Sequence, residues 1–269
     1  MIMDNRAIGF FDSGIGGLTS IRHVMKLLPN EKVVFFGDTA RTPYGSKSPE
    51  TIRMFSAQVA DFLLSRDVKM IVIACNTATA NALDFLRQRY PDIPIIGCIS
   101  PTAIEVARYS TARDVIGIMA TKATVKSGVY RDKILELNPK LRVEQIACPI
   151  IVPLIEEGLI NTEIMDLALR HYLDDFIAGY GITKLVLGCT HYPLVLENIA
   201  RLYPSLEQFS SSRELATAVT MELDKHHLHA EQRVPEHEFY ASDNSDSFKN
   251  MVELLNVDSS TVRIKNLDR

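Results

Sequence analysis

Short runs of consecutive apolar residues alternate along the chain with longer segments in which apolar residues recur at helical spacing. Because nearly every position of the runs is apolar, they are typical of strands that are covered on both faces of a sheet. Strands that alternate with helices in this way predict an α/β fold whose sheets are mainly parallel. The predicted strands are AIGFF from Ala7, VVFFG from Val33, MIVIA from Met70, IPIIG from Ile93, VIGIMA from Val115 and KLVLG from Lys184.

Three of the helical segments carry boundary signals. Ser48 followed by Pro49 predicts a helix start, because serine is a good N-cap and proline fits the first helical position. The other two patterns stop just before a proline or at glycines, which are residues that end helices. The three predicted helices cover 48–66, 123–138 ahead of Pro139, and 161–181 with Gly179 and Gly181 at its end.

The C-terminal part of the chain predicts a return to a sheet. HEFYASD from His237 and STVRIKN from Ser260 are typical of strands, and a helical pattern over 245–255 lies between them. The stretch before them, 224–238, is rich in acids and histidines and predicts a surface excursion. Its histidine cluster has no thiol or carboxylate at ligand spacing, which favours a solvated helix end over a metal site.

The composition is that of a compact globular protein and excludes several classes of function. The chain has 269 residues, of which 46% are hydrophobic, and a formal net charge of −4. This small and mixed charge does not predict binding to nucleic acid. No apolar run approaches the length that spans a membrane, and the N-terminus has no signal-peptide pattern. We therefore expect a cytoplasmic protein whose thiols are reduced.

Two of the four cysteines occur in matching contexts. Cys75 in VIACNTATANAL and Cys189 in LVLGCTHYPLVL each follow an apolar strand and precede a polar turn and a helix-like segment. We call this repeated pattern of strand, cysteine, polar turn and helix the echo, and it predicts two similar α/β halves. Strand ends are where α/β sheets bind ligands, and helix N-termini favour anions, so both sites are expected to lower the thiol pKa. The alternative, a small buried hydrophobe, is the interpretation for Cys98 and Cys148, which show no echo.

Two thiols at one site allow several chemistries. A redox pair would show C-x-x-C spacing and a zinc site would need closer ligands, and the sequence has neither. A nucleophilic thiol with His191 as its base remains open, although it needs only one cysteine. A base and an acid on opposite sides of one substrate would use both thiols, and the echo favours this interpretation.

Polar residues also follow the first two predicted strands. Asp12 and Ser13 open a glycine-rich turn that lacks the last glycine of G-x-G-x-x-G, so a dinucleotide site is poorly supported. A tight turn that presents Asp12 and backbone amides to a small anion fits better. After the second strand, the turn of Pro43, Tyr44 and Gly45 could bring backbone N–H groups to a carboxylate or be an ordinary turn.

Five motifs together resemble the glutamate racemases of the cofactor-independent aspartate/glutamate racemase superfamily. They are DSGIGGLT from Asp12, GDTARTPYG from Gly37, ACNTAT from Ala74, CPIIVPLIEEG from Cys148 and GCTHYPL from Gly188. The resemblance implies two pseudo-symmetric α/β domains, residues 1–97 with 208–269 and residues 98–207, with the active site in the cleft between them. It also implies a homodimer that interconverts L- and D-glutamate without cofactor or metal and supplies D-glutamate for peptidoglycan.

The same resemblance implies roles for individual residues. Cys75 would take the α-proton from D-glutamate and Cys189 from L-glutamate, while the other thiol reprotonates the opposite face. Asp12, His191 and Glu156 match residues that tune the thiols. The positions that match substrate-binding residues are Asp12, Ser13, Pro43, Tyr44, Gly45, Asn76, Thr77, Thr190 and His191.

Three rival functions stay open on the residues alone. A related racemase could take aspartate, another amino acid or a hydantoin. The fold could instead serve a non-catalytic anion-binding protein, or a hydrolase could use Cys189 with His191. Two-base racemisation of glutamate gives one expected result that distinguishes it from these rivals. Replacement of either Cys75 or Cys189 should abolish glutamate interconversion in both directions.

Overall fold

Two parallel sheets organise the chain. The computed structural model describes residues 3–14, 16–232, 234–244 and 262–267. Within these ranges one sheet has six strands, the other has four, and every pairing is parallel. The strands are β1 (Ala7–Asp12), β2 (Val33–Gly37), β3 (Val68–Ile73), β4 (Ile95–Gly97), β5 (Val115–Ala120), β6 (Arg142–Ala147), β7 (Lys184–Gly188), β8 (Glu207–Ser210), β9 (Glu238–Ala241) and β10 (Val262–Ile264).

Helices connect the strands and cover the sheets. The first sheet has the strand order β10-β9-β2-β1-β3-β4 and the second has the order β6-β5-β7-β8, so the chain leaves the second sheet after Ser210. This is the α/β fold that the sequence predicts. The helices are α1 (Leu18–Leu27), α2 (Pro49–Leu64), α3 (Asn76–Arg89), α4 (Ile99–Arg108), α5 (Lys122–Ser127), α6 (Val129–Leu137), α7 (Ile151–Glu156), α8 (Glu163–Tyr180), α9 (Leu196–Leu202) and α10 (Ser211–His226).

The first sheet is buried on both faces. Its central strands β1, β2 and β3 are buried at every position, as their continuous apolar runs predict. On one face, Phe10 and Phe35 belong to a hydrophobic cluster with Val219 of α10. On the other face, Phe11 lies in a second cluster with Val59 of α2. The first cluster continues into the strands of the second sheet, so the two halves share a core.

The predicted helix boundaries hold at all three sites, and α6 ends at Leu137 with Asn138 as its C-cap, ahead of Pro139. The α2 helix begins at Pro49, and Ser48 Oγ caps it by accepting from the Thr51 N–H at 3.2 Å. The α8 helix ends at a left-handed Gly181 with φ of +68°. The single helix predicted over 123–138 is wrong, because Gly128 adopts φ of +71° and separates α5 from α6.

Two strands were not predicted from the sequence. The predicted runs coincide with β1 to β5 and β7 within two residues at either end, but β6 and β8 carry polar residues. Both lie at edges of the second sheet, where a strand is covered less completely. The tail strands β9 and β10 confirm the predicted return to a sheet. The helix predicted over 245–255 lies outside the described residues.

The stretch that follows α10 lies at the surface. His226 contacts Glu222 at 2.9 Å and His229 contacts Asp224 at 2.7 Å, so these histidines pair with carboxylates. Within the described ranges there is no group of three or more His, Cys, Asp or Glu that could hold a metal ion. None of the described helices is both long enough and apolar enough to cross a membrane.

Candidate active site

The first thiol lies between the end of β3 and the start of α3. Cys75 is the N-cap of α3, and its Sγ accepts from the Ala78 N–H at 3.4 Å. The thiol donates to Ser13 Oγ, also at 3.4 Å. The predicted helix start at Cys75 is therefore confirmed. The predicted fall in its pKa is wrong in this structure, since burial and then the nearby Asp12 carboxyl raise the pKa of Cys75 to about 12.

The second thiol lies at the carboxyl end of β7 but not at a helix N-terminus. Cys189 is followed by a short 3-10 turn over Tyr192–Val195, and α9 begins only at Leu196. The prediction of a helix dipole at this thiol is wrong, because the polar stretch after β7 folds as a turn. The neighbour of Cys189 Sγ is instead His191 Nδ1 at 3.9 Å.

Both thiols open into one small cavity between the two halves. It has a volume of about 20 Å³. A single water needs roughly 10–15 Å³, so an amino acid enters only after the cavity widens. Two strand ends from different sheets thus converge on one space, as the sequence echo predicts. The lining residues are Ser13, Thr42, Pro43, Tyr44, Gly45, Cys75, Asn76, Thr77, Thr121, Val152, Cys189, Thr190 and His191.

Asp12 is buried beside this cavity and supports the loop after β1. Its carboxylate accepts from the N–H groups of Gly14 and Gly17 at 3.3 and 3.1 Å and from Thr190 Oγ1 at 3.3 Å. Burial raises the Asp12 pKa, and the charge of His191 opposes that rise. The two amides bind Asp12 itself, so the prediction that they face a small anion is wrong for Gly14 and Gly17.

His191 links Cys189 to an acid. Its Nε2 lies 3.2 Å from Glu156 Oε1, while its Nδ1 lies 3.9 Å from Cys189 Sγ. Burial opposes a charged imidazole, but Cys189 and Glu156 outweigh it and raise the His191 pKa to about 10. His191 is therefore protonated at neutral pH. Glu156 ends α7 and does not line the cavity, but it contacts His191, which does.

The turn after β2 forms one wall of the cavity. Pro43 precedes a 3-10 turn over Tyr44–Ser46, and the buried Tyr44 hydroxyl donates to Asp38. Burial and Asp38 raise the pKa of Tyr44 well above its ordinary value. A Cβ on Gly45 would lie 2.5 Å from Thr121 Cβ, so only glycine allows this approach between the halves.

Two residues at the start of α3 complete the wall beside Cys75. Asn76 Oδ1 accepts from the Tyr130 hydroxyl at 2.6 Å. Its Nδ2 is buried and has no hydrogen-bond partner among the described residues. Thr77 Oγ1 lies 2.9 Å from Thr121 Oγ1 and 3.2 Å from Thr124 Oγ1. Asn76 thus adds to this wall a buried donor without a partner among the described residues, while Thr77 bonds across to the second half.

Three lining residues were not predicted as site residues. Thr121 follows β5 directly, so the strand-end argument applied to Cys75 would also have found it. Thr42 adjoins the predicted turn, and Val152 lies in the CPIIVPLIEEG motif. Cys98 and Cys148 are both buried away from the cavity lining, and burial raises the pKa of each thiol.

Comparisons with known proteins agree on one family. A family model described as Asp/Glu/Hydantoin racemase matches residues 20–216. The glutamate racemase of Streptococcus sanguinis strain SK36 is 42% identical over 256 residues, which cover 93% of this chain and 95% of the relative. The glutamate racemase of Persephonella marina is 42% identical over 249 residues, with 93% of each chain covered.

Solved structures give the same result. Glutamate racemase from Francisella tularensis, in complex with D-glutamate, has a TM-score of 0.91 and 37% identity, with 98% of this chain and 99% of that chain covered. Glutamate racemase isoform RacE1 from Bacillus anthracis also has a TM-score of 0.91, with 32% identity and 98% of each chain covered.

Proposed function

This chain belongs to the Asp/Glu/hydantoin racemase family, and we propose that it interconverts L- and D-glutamate with Cys75 and Cys189 as its two bases. The observation that carries the proposal is that both thiols, from different sheets, line one small cavity. The D-glutamate bound in the Francisella tularensis structure supports the choice of substrate.

The charged groups beside the two sulfurs differ. Cys75, with a pKa of about 12, holds its proton at neutral pH, whereas Cys189 faces a protonated His191. An imidazolium is the partner that a thiolate on Cys189 requires. This arrangement suits the step in which Cys189 removes the α-proton of L-glutamate and Cys75 gives its proton to the opposite face. Cys75 is then the thiolate and Cys189 the thiol, as the reverse reaction requires.

The polar groups of the cavity wall support binding of a charged amino acid. The buried Nδ2 of Asn76 has no partner and would donate to a substrate carboxylate. We assign Ser13, Thr77, Thr190 and the Pro43–Gly45 turn to substrate contact because they line the same cavity. The water-poor pocket would strengthen these bonds as negative charge develops at the α-carbon. Asp12 does not line the cavity, and we propose that it holds Thr190 in place by accepting a hydrogen bond from its hydroxyl.

The hydrolase alternative leaves one of the two thiols unexplained. A thiolate on Cys189 beside an imidazolium on His191 would also serve as a nucleophile, so this pair alone does not separate the two chemistries. A nucleophile needs only one cysteine, whereas Cys75 lines the same cavity. The two-base mechanism accounts for both thiols.

Single-cysteine variants test the two-base mechanism. We expect Cys75→Ala and Cys189→Ala each to lower kcat/KM by at least about 10³-fold. The loss must be equal in the two directions, because L- and D-glutamate have the same free energy. Cys98→Ala and Cys148→Ala are matched controls, since both thiols are buried but do not line the cavity, and they should stay within a few-fold of wild type.

Isotope exchange in D₂O gives an independent test. With one base on each face, the newly formed enantiomer acquires deuterium at the α-carbon, while the remaining substrate keeps its proton early in the reaction. NMR of the two enantiomers measures both. Rapid deuteration of the unreacted substrate would instead indicate a single base, and full activity in Cys75→Ala would contradict the proposal outright.

The cellular setting is part of the proposal. We propose that the protein works in the cytoplasm as a homodimer and that its D-glutamate is used for peptidoglycan. The relatives of 40–42% identity are bacterial glutamate racemases, which supports this role. Cells depleted of the protein should then grow only with D-glutamate in the medium. Sedimentation of the purified protein at twice its monomer mass would agree with the dimer.

A further inference from the structure

A buried tyrosine from the second half reaches the cavity wall of the first. Tyr130 lies on α6 and is fully buried. Its hydroxyl donates to Asn76 Oδ1 at 2.6 Å, and Asn76 is the first residue of α3, next to Cys75. Tyr130 does not line the cavity itself. Its hydroxyl therefore reaches the cavity wall through the Asn76 side chain.

This hydrogen bond sets which end of the Asn76 amide faces the cavity. An amide side chain has an acceptor end and a donor end, and the two point in opposite directions. When the Tyr130 hydroxyl donates to Oδ1, the donor end is Nδ2, which is buried without a partner among the described residues. A buried donor without an acceptor is costly, so its presence indicates a ligand atom that accepts from it.

The opposite orientation of the amide would harm the site. It would present the Asn76 carbonyl oxygen to the cavity, where it would repel a carboxylate. Burial raises the pKa of Tyr130 well above its ordinary value, so the phenol keeps the proton that it donates. The hydroxyl can satisfy Oδ1 only while Nδ2 points away from it.

We propose that Tyr130 is a positioning residue that holds the amino group of Asn76 toward the cavity, where it donates to a carboxylate of the substrate. The role rests on the proposed glutamate racemase function. In this role Tyr130, a residue of the second half, supports the substrate-binding wall of the first half through Asn76. Tyr130 itself does not touch the substrate.

Removal of the hydroxyl alone tests this role. Tyr130→Phe keeps the buried ring, and we expect kcat/KM to fall roughly three- to tenfold, and the Kd for D-glutamate to rise in proportion, since one hydrogen bond loses its geometry. Tyr240→Phe is the matched control, because Tyr240 is also buried and its hydroxyl donates to Glu238 at 2.6 Å, away from the cavity. It should leave both constants unchanged.

A double-mutant cycle separates positioning from general stability. In an Asn76→Ala background, Tyr130→Phe should cause no further change in kcat/KM or in the Kd for D-glutamate, because the side chain it orients is gone. The same fold loss in both backgrounds, or wild-type constants in Tyr130→Phe, would overturn the positioning role. Thermal unfolding of all variants checks that they are folded.

The binding measurement also distinguishes this inference from the proposed function. A wild-type protein that binds D-glutamate without interconverting it would contradict the proposed function alone, and the cycle on Kd would still decide the role of Tyr130. A folded wild-type protein that does not bind glutamate would overturn both.

Discussion

The two thiols of the cavity have different neighbouring groups, although both lie at the ends of corresponding strands. Cys75 donates to Ser13 and lies near the Asp12 carboxyl, whereas Cys189 faces an imidazole that contacts Glu156. Inversion at one carbon requires a base on one face and an acid on the other. Unequal surroundings supply this difference before any substrate binds, so equivalent positions do not require equivalent environments.

The raised pKa of His191 should make the stability of the fold depend on alkaline pH. Its pKa is 6.5 in an unfolded chain and about 10 in the folded one. The folded protein therefore holds the extra proton between these values, and the stabilisation present below pH 6.5 is lost as the pH rises through 10. We expect the free energy of unfolding to fall by about 1 kcal/mol per pH unit from pH 7 to 8.

Urea unfolding at several pH values measures this slope. His191→Asn removes the titrating group and should flatten the slope between pH 7 and 8. Above pH 9 both proteins should lose stability, because the Cys75 thiol, with a pKa of about 12 in the folded state, ionises more readily when unfolded. Parallel slopes in the two proteins from pH 7 to 8 would show that His191 is not the group responsible.

At the scale of elements, the approach of the turn after β2 to the start of α5 should depend on glycine. A Cβ on Gly45 would lie 2.5 Å from Thr121 Cβ, so Gly45→Ala must push the Tyr44 turn away from the second half. Displacement of a substrate-binding wall by about 1 Å can lower kcat/KM roughly 100-fold. We expect a loss of about 10- to 100-fold, measured by racemisation kinetics.

Gly179 provides the matched control for this substitution. It lies within α8 and has nothing within 4 Å of an added Cβ. Gly179→Ala should keep full activity and stabilise the fold by about 0.5–1 kcal/mol, because alanine favours helix more than glycine does. Equal kinetic losses in both variants would contradict the steric explanation.

The elements that the sequence predicts are those whose pattern is local. Fully buried strands such as β5 carry continuous apolar runs, and Ser48 caps α2 with its own side chain. The edge strand β6 is buried at only one position and gives no such run. The site follows the same rule, since strand ends predict Cys75 and Cys189. The hydrogen bond from Tyr130 joins residues 54 positions apart, and the α6 pattern gives no sign of it.

At the scale of the whole molecule, one buried ion pair and its hydrogen bonds join four distant parts of the chain. Lys69 Nζ contacts Glu31 Oε2 at 2.5 Å and also donates to the carbonyls of Asp4 and Leu228. Both charged side chains are at most 3% exposed. Lys69→Met would leave Glu31 as a buried carboxylate without its partner, and we expect a loss of about 3–5 kcal/mol in urea unfolding at pH 7.

A more exposed ion pair provides the comparison for this loss of stability. Lys32 contacts Glu238 at 2.6 Å, but the lysine side chain is 30% exposed. Lys32→Met should cost about 1 kcal/mol or less, because water and salt screen such a pair. If the two lysine variants were destabilised equally, burial would not be what makes the Lys69 pair strong.

The small volume of the cavity implies that the two halves part before a molecule as large as the substrate reaches the thiols, and alkylation can detect this opening. All four cysteines are buried, but only Cys75 and Cys189 line the cavity. Iodoacetamide should therefore modify these two in the folded protein, while Cys98 and Cys148 react only on unfolding. Glutamate at ten times its Kd should slow modification of the cavity thiols about tenfold by mass action, as measured by peptide mass spectrometry. If all four reacted at one rate, access would come from global unfolding, and the cleft between the halves would not be the route by which substrate enters.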